Sequence, residues 1–228
     1  MLYSIAMILL YAERQPRDLW VILSLALLIA LVGLVRALFP GAFGRIIGAF
    51  FDNTLLNQLI KEDTPFLSWP YLLLYIVMGF SVGMFLFLAQ LSGFLSVAYV
   101  VDVRVFLVLS LSVIVLFAIK IMVLRVIAHV FDIKRLFRGY ETALFLSYYN
   151  VAFLLLVFAL MMSLLPFSEA NWLVPTALSL AGVMLVFRLG KSAFEIIRNY
   201  RFPIFYFIVY LCTLELAPIL ILIKIVSR

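Results

Sequence analysis

Long apolar runs are the feature that most constrains this chain. Six of them are long enough to cross about 30 Å of hydrocarbon, for which a helix needs roughly 20 residues. They cover residues 19–39, 70–92, 105–127, 142–165, 172–190 and 203–226. Inside hydrocarbon the backbone N–H and C=O groups must bond one another, and a helix satisfies them within one segment. The runs therefore predict an all-α membrane protein with about six transmembrane helices.

The composition also indicates that lipid surrounds the chain. Of the 228 residues 68% are hydrophobic and 12% are charged, and the mean hydropathy is +1.26. A soluble domain is nearer to half apolar and a quarter charged, and a fold of this size cannot hide so much apolar side chain from water. Lipid is therefore the expected solvent, and the bilayer is the first expected partner.

The net charge of +6 is distributed as it is beside a membrane. Most Lys and Arg residues lie between the apolar runs, so nucleic acid is not an expected partner. More than twice as many follow the first, third and fifth runs as lie on the opposite side. The positive-inside rule then places the chain in the inner membrane with these loops in the cytoplasm and both termini in the periplasm.

Two segments outside the runs are expected at the membrane surface. Residues 1–18 contain an apolar start too short to span, and we interpret them as an N-terminal interfacial segment before a single polytopic domain, 19–228. The linker 40–65 predicts an amphipathic helix between the first two spans. Its apolar residues recur every four positions at Phe43, Ile47, Phe51, Leu55 and Leu59. An interfacial helix is the expected form, and a glycine-assisted re-entrant segment is the alternative.

Polar residues inside the runs are the candidate functional residues. A charge near the bilayer centre costs about 3 kcal/mol on insertion scales, so such residues face other helices or water. Helical rise places five of them in the inner half of the bundle, four at about 10–13 Å from the cytoplasmic side and Glu215 at about 18 Å, near mid-membrane. They are Lys120, Tyr148, Asn150, Tyr210 and Glu215. We expect them to converge, either as a polar cluster that fixes helix register or as a site for an ion, a proton or a polar substrate.

Two sequence features bear on helix geometry. Pro218 follows Glu215 by one turn and removes the amide that would bond the carbonyl of Leu214. A proline kink is expected there, and a coordination site is the alternative. Gly79 and Gly83 are spaced for close helix packing, which is expected within the chain rather than in a dimer.

Basic residues flank the runs on the predicted cytoplasmic side. Lys134, Arg135 and Arg138 form a basic loop after the third run. Arg188 ends the fifth run and is expected to extend its side chain to the lipid head groups. Lys191 begins a basic amphipathic stretch that would suit anionic lipid or an acidic partner, although a role in setting the topology is favoured.

Motifs of enzyme catalysis are missing from the sequence. It contains no nucleophile elbow, no His-Glu-x-x-His and no phosphate-binding glycine loop. His129 is the single histidine and Cys212 the single cysteine, so neither a metal nor a cofactor is expected. The pattern leans away from an enzyme, and a membrane enzyme that acts on a lipid-linked substrate is the weakest alternative.

The last run carries a motif that resembles a known family. Residues 205–218 read Phe-Tyr-Phe-Ile-Val-Tyr-Leu-Cys-Thr-Leu-Glu-Leu-Ala-Pro. With an intramembrane lysine at Lys120, the segment 147–150 and the pair Phe187-Arg188, this ending resembles an uncharacterised family of bacterial polytopic inner-membrane proteins. Val209 and Leu216 stand where the family motif has Leu and Ile. The resemblance implies an envelope location and no established activity.

Two functions lead the remaining alternatives. A component of an envelope-biogenesis or secretion-associated membrane complex ranks first, because the chain is small and has neither a catalytic motif nor room for a soluble domain between its spans. Such a component would act with other membrane proteins. The second is an ion- or proton-coupled transporter or channel that uses Lys120 and Glu215.

Overall fold

The described part of the chain is helical throughout. The computed structural model describes residues 19–52, 55, 58–59, 69–92, 102–130, 134–165 and 172–199. Within them lie six helices and no strands. They are α1 (Leu19–Leu38), α2 (Pro40–Phe51), α3 (Trp69–Leu91), α4 (Val103–Val130), α5 (Lys134–Leu164) and α6 (Leu173–Asn199). The prediction of an all-α fold is confirmed for these residues.

Four of these helices are long and apolar enough to cross a membrane. They are α1, the Tyr71–Leu91 part of α3, α4, and the Gly139–Leu164 part of α5. The apolar part of α6, Leu173–Arg188, is shorter. The predicted sixth span and the N-terminal segment 1–18 lie outside the described residues. Among the described residues the structure therefore shows four helices of spanning length, where the sequence predicts five within the same part of the chain.

α3 and α5 form the centre of the bundle. α3 packs most extensively against α4 and α5, α5 also contacts α6, and α1 packs mainly on α3. The most apolar stretch of α3 is 61% buried, whereas that of α4 is 17% buried and that of α1 is 22% buried. α1 and α4 are therefore peripheral helices with large outward faces.

Aromatic contacts show how the helices run past one another. Trp20 of α1 lies 5.2 Å from Phe87 of α3 and 6.0 Å from Phe106 of α4, centroid to centroid. These contacts form the end of the bundle where α1 and α4 begin. The opposite end, where α4 finishes and α3 and α5 begin, carries the ionisable and tyrosine side chains described below, and we name it the polar end.

Two glycines let α3 and α4 approach closely. A Cβ added to Gly79 would overlap Ile114, and one added to Gly83 would lie 2.6 Å from the backbone Cα of Ser110. One turn before Gly79, the Tyr75 hydroxyl donates a 2.5 Å hydrogen bond to the carbonyl of Ile114. Gly79 and Gly83 therefore lie at a helix–helix contact within the chain.

We predict that Gly83→Ala destabilises the bundle by about 1–3 kcal/mol, the usual cost of overpacking. The added methyl group meets backbone, which cannot rotate away as a side chain can. Thermal unfolding in mild detergent measures the effect. Gly182→Ala is the matched control, because nothing lies within 4 Å of a Cβ at that helical glycine. Equal melting temperatures for the two variants would contradict the close contact.

Candidate functional site

Lys120 and Tyr148 meet between α4 and α5 at the polar end. The Lys120 ammonium donates a hydrogen bond of 3.0 Å to the Tyr148 hydroxyl and lies 5.3 Å from the centre of its ring. Phe117 packs edge-on against the same ring, with centroids 4.6 Å apart. Both Lys120 and Tyr148 are half-buried. A hydrogen bond and a cation–π contact thus hold the ammonium at the edge of an aromatic cluster.

Arg125 and Glu141 form an ion pair between the same two helices. Nε and Nη2 of Arg125 donate to one carboxylate oxygen of Glu141 at 3.0 and 2.6 Å. The Glu141 side chain is 11% exposed, whereas that of Arg125 is 55% exposed. The carboxylate is thus held inside the bundle, while the guanidinium still reaches its surface.

The sequence analysis missed this ion pair. Only residues 131–133 separate α4 from α5, and so short a connection makes two helices antiparallel neighbours. Arg125 lies five residues before the end of α4, and Glu141 lies seven residues after the start of α5. Residues at similar distances from such a turn lie opposite each other, so the connection itself was the signal for the pair.

The two pairs form one line of contacts, which we name the α4–α5 seam: Lys120 and Arg125 of α4 with Tyr148 and Glu141 of α5. Glu141 and Tyr148 are seven residues apart, so they lie on the same face of α5, two turns from each other. Between them, Phe145 packs edge-on against Phe117, with centroids 5.2 Å apart. The seam therefore carries cationic groups at two depths with aromatic packing between them.

Asn150 lies away from the seam. It follows Tyr148 by two residues, which turns it roughly 200° around the helix. Its side-chain amide donates to the carbonyl of Leu146 at 2.8 Å and, more weakly, to that of Ile46 in α2 at 3.5 Å. The predicted polar cluster is thus divided: Lys120 joins Tyr148, Asn150 turns towards α2, and Tyr210, Glu215 and Pro218 lie outside the described residues.

α2 packs against the middle of α5. Ile46, Ala49 and Phe50 are buried, whereas Ile47 is 38% exposed. The prediction of a shared apolar face was not one of burial in the bundle, so an exposed Ile47 leaves the interfacial helix a prediction. Phe43 contacts Phe153, with ring centroids 5.6 Å apart.

Arg188 is fully buried where α6 meets the end of α2. Its exposure is 0%, so the expectation that it extends to the head groups does not describe this side chain. Nη1 donates to the carbonyl of Phe50 at 3.1 Å, and the guanidinium lies 5.9 Å from the Phe50 ring centre. That carbonyl belongs to the last turn of α2, where carbonyls have no helical partner and the helix dipole favours a cation.

The other basic residues lie at helix positions near the polar end. Lys134, Arg135 and Arg138 belong to the first turns of α5, and their side chains lie outside the described part of the structure. Lys191 follows Arg188 by one turn of α6 and is half-buried. Within the described residues, no group of three or more His, Cys, Asp or Glu side chains is placed to hold a metal ion.

We predict that Arg188→Met destabilises the C-terminal turn of α2. Loss of a hydrogen bond from a charged donor should speed amide hydrogen exchange in residues 48–52 by about tenfold or more. Hydrogen exchange followed by mass spectrometry measures the change. Arg36→Met is the control, because Arg36 is an exposed arginine at the end of α1. Unchanged exchange in residues 48–52 of a folded variant would rule out this role for Arg188.

The fold and this site define a class of protein: in its described part, a helical bundle whose long apolar helices indicate a membrane environment and whose α4 and α5 are joined by polar contacts. The family model described as "Domain of unknown function (DUF4271)" matches residues 21–226, and the chain belongs to that family. The prediction of an uncharacterised family is thus confirmed. No curated protein and no solved structure matches the chain.

Proposed function

We propose that this protein is a multi-pass protein of the bacterial inner membrane, with both termini in the periplasm, that works as a subunit of a membrane-protein assembly in envelope biogenesis or secretion. The observation that carries the proposal is the outward face of α1. This face is exposed among the described residues, and its residues are of the kind that another transmembrane helix packs against.

The outward face of α1 carries a line of small residues between exposed large ones such as Leu23 and Leu27. α1 packs on the bundle through Val21, Leu25, Leu28 and Val35. The side opposite to these residues is exposed and bears Ala26, Ala30, Gly33 and Ala37. Their spacing of four, three and four residues keeps them on one line along the helix. In lipid, small residues on a line allow a second backbone to come close, which is how helices associate there.

The use of polar groups inside the bundle also supports a role in assembly. The Tyr149 hydroxyl donates to the carbonyl of Tyr71 at 3.0 Å, and the Tyr75 hydroxyl donates to that of Ile114. Asn150 bonds the carbonyl of Leu146 within its own helix. These groups tie the helices of the bundle to one another or to their own backbone, as expected of a rigid membrane subunit.

We predict that a photoreactive amino acid at Ala30, irradiated in intact cells, gives a discrete adduct with another membrane protein. A position on the outer face of α4, Ile119, is the matched control: it is equally outward-facing but surrounded by large apolar residues. Gel mobility and mass spectrometry of the adduct identify the partner. The control position should give no such adduct.

A second variant tests whether the α1 face is needed for assembly. Gly33→Leu should reduce the mass of the particle extracted in mild detergent, because the larger side chain keeps a partner helix at a distance. The bundle itself should stay intact, since nothing lies within 4 Å of a Cβ at Gly33. A monomeric wild-type particle, together with no protein adduct from Ala30, would overturn the proposal.

Lys120 supports a second candidate function, an ion- or proton-coupled transporter or channel. Its ammonium lies in the inner part of a helix of spanning length, and ionisable residues at such positions often mark ion pathways. In this alternative Lys120 acts together with Glu215, which lies outside the described residues. Lys120 is half-buried, so the position is not closed off from the surface of the bundle.

For this alternative we predict that Lys120→Met and Glu215→Gln each lower proton flux in proteoliposomes by at least about tenfold, the effect of removing a 1.4 kcal/mol contribution. A trapped pH-sensitive dye reports the flux. Arg104→Met is the control, because Arg104 is an exposed residue at the other end of α4. Equal flux from all three variants and the wild type would exclude the transporter function.

A further inference from the structure

α2 is a short helix that its own sequence stabilises poorly. It has 12 residues, and no side chain bonds the free N–H groups of its first turn. Three of the 12 are glycines, Gly41, Gly44 and Gly48, and each lowers the stability of a helix relative to alanine. Helices of this length are marginal in water even with favourable sequences. Packing against the bundle therefore supplies much of the stability of α2.

α2 meets α5 and α6 through an apolar face and two of its backbone carbonyls. Ile46, Ala49 and Phe50 are buried on that face. The carbonyl of Ile46 accepts from Asn150 of α5, and that of Phe50 accepts from Arg188 of α6. The two carbonyls are four residues apart, so they lie on one side of α2, about one turn from each other.

The contact at Asn150 can be broken without leaving a polar group unsatisfied. The side-chain amide donates to the carbonyl of Leu146 in its own helix at 2.8 Å, whereas its distance to the Ile46 carbonyl is 3.5 Å. That carbonyl lies inside α2, where the N–H four residues later bonds it. Separation of α2 from α5 therefore costs little at this position.

A single residue, Phe39, joins α1 to α2. Its backbone is not helical, with φ −132° and ψ 59°, because Pro40 keeps the residue before it out of the helical conformation. The Phe39 N–H still donates to the carbonyl of Val35 at 2.9 Å, so the end of α1 is fixed. Hinges are commonly one or a few residues at the end of an element, and Phe39 has that position.

Arg188 is the charged group against which the last turn of α2 lies. The side chain is fully buried. The Phe50 carbonyl lies 3.1 Å from its Nη1, and the Phe50 ring centre lies 5.9 Å from the guanidinium. Both of these contacts are made by one residue of α2, so displacement of that turn removes them together. The position of α2 therefore decides whether the guanidinium is covered on this side.

We propose that α2 is a hinged cover over Arg188, which leaves α5 and α6 as one unit about Phe39, unwinds and makes the guanidinium accessible to water. α2 follows directly on the end of α1, where the first apolar run ends, so its unwound backbone reaches water at the membrane boundary. Cooperative local opening of this kind is typical of elements with little stability of their own. The opening goes beyond the proposed function and does not require a partner protein.

The first test is amide hydrogen exchange of the full chain in lipid nanodiscs, followed by mass spectrometry. Gly41→Ala combined with Gly44→Ala should slow exchange about tenfold throughout residues 43–51, because both changes favour the closed helix. Nothing lies within 4 Å of a Cβ at either position, so the closed packing is unaffected. Gly182→Ala, at an equally open glycine of α6, is the control and should leave these rates unchanged.

Arg188→Met shows whether α2 opens as one unit. In a cover that moves as a whole, the variant should speed exchange in residues 43–47 by the same factor as in residues 48–52. An effect confined to residues 48–52, in a variant that melts at the wild-type temperature, would overturn the proposal and leave only a local role at the last turn. Slowing by the glycine pair that stops at residue 46 would also overturn it.

Modification by phenylglyoxal, which reacts with guanidinium groups, measures the accessibility of Arg188 itself. Mass spectrometry of peptides follows the reaction in the wild type and in the Gly41→Ala/Gly44→Ala variant. We expect Arg188 to react in the wild type and about tenfold more slowly in the variant, since the reaction requires the open state. Arg36, an exposed arginine at the end of α1, should react equally in both. An Arg188 that stays unmodified after Arg36 has reacted fully would contradict the opening.

Discussion

The close contact between α3 and α4 determines where the other groups of the polar end lie. Gly79 and Gly83 let the two backbones approach, and the bond from Tyr75 to the carbonyl of Ile114 sets their register. That register puts Phe117 one turn further along α4, where its ring lies 5.7 Å from Tyr75. Phe117 then packs against the first half of α5. The two glycines therefore influence the geometry of the candidate site, although neither contacts it.

Phe117 links the register of α3 and α4 to the position of Lys120. Its ring is edge-on to both Phe145 and Tyr148, which fixes the face that α5 turns towards α4. Lys120 follows Phe117 by three residues, on the neighbouring part of the same helix face. The distance from its ammonium to the Tyr148 hydroxyl is therefore a consequence of helix packing, and a polar pair with this geometry needs no loop to position it.

The sequence predicted the positions of the helices better than the contacts of their polar residues. The runs 19–39 and 70–92 agree with α1 and α3 within a residue at each end, because a lipid environment leaves a strong hydropathy signal. The run 142–165 missed the first two turns of α5, since residues 134–141 are rich in charge. The depth of a residue along a helix was predictable from helical rise. This estimate placed Lys120 and Tyr148 at the same level.

The side of the helix on which a residue lies was not predictable in the same way. Asn150 lies at nearly the depth of Tyr148 but turns towards α2, and Arg188 meets a carbonyl at the end of α2 that only the packing of α6 reveals. α2 itself packs against Asn150 and Phe153, about 13–18 Å along α5 from Glu141.

The two peripheral helices differ in the neighbours that their outward faces suit. Ala26, Ala30 and Gly33 form a line of small residues on α1, and another helix packed along this line would gain van der Waals contacts between the two backbones. Large flexible side chains such as Leu116 and Met122 cover α4 and would hold a second helix further away. Fluid acyl chains can pack against such an uneven surface without that restriction. The proposed protein partner at α1 would therefore leave the surface of α4 to lipid, so the two kinds of neighbour would not compete for one face of the bundle.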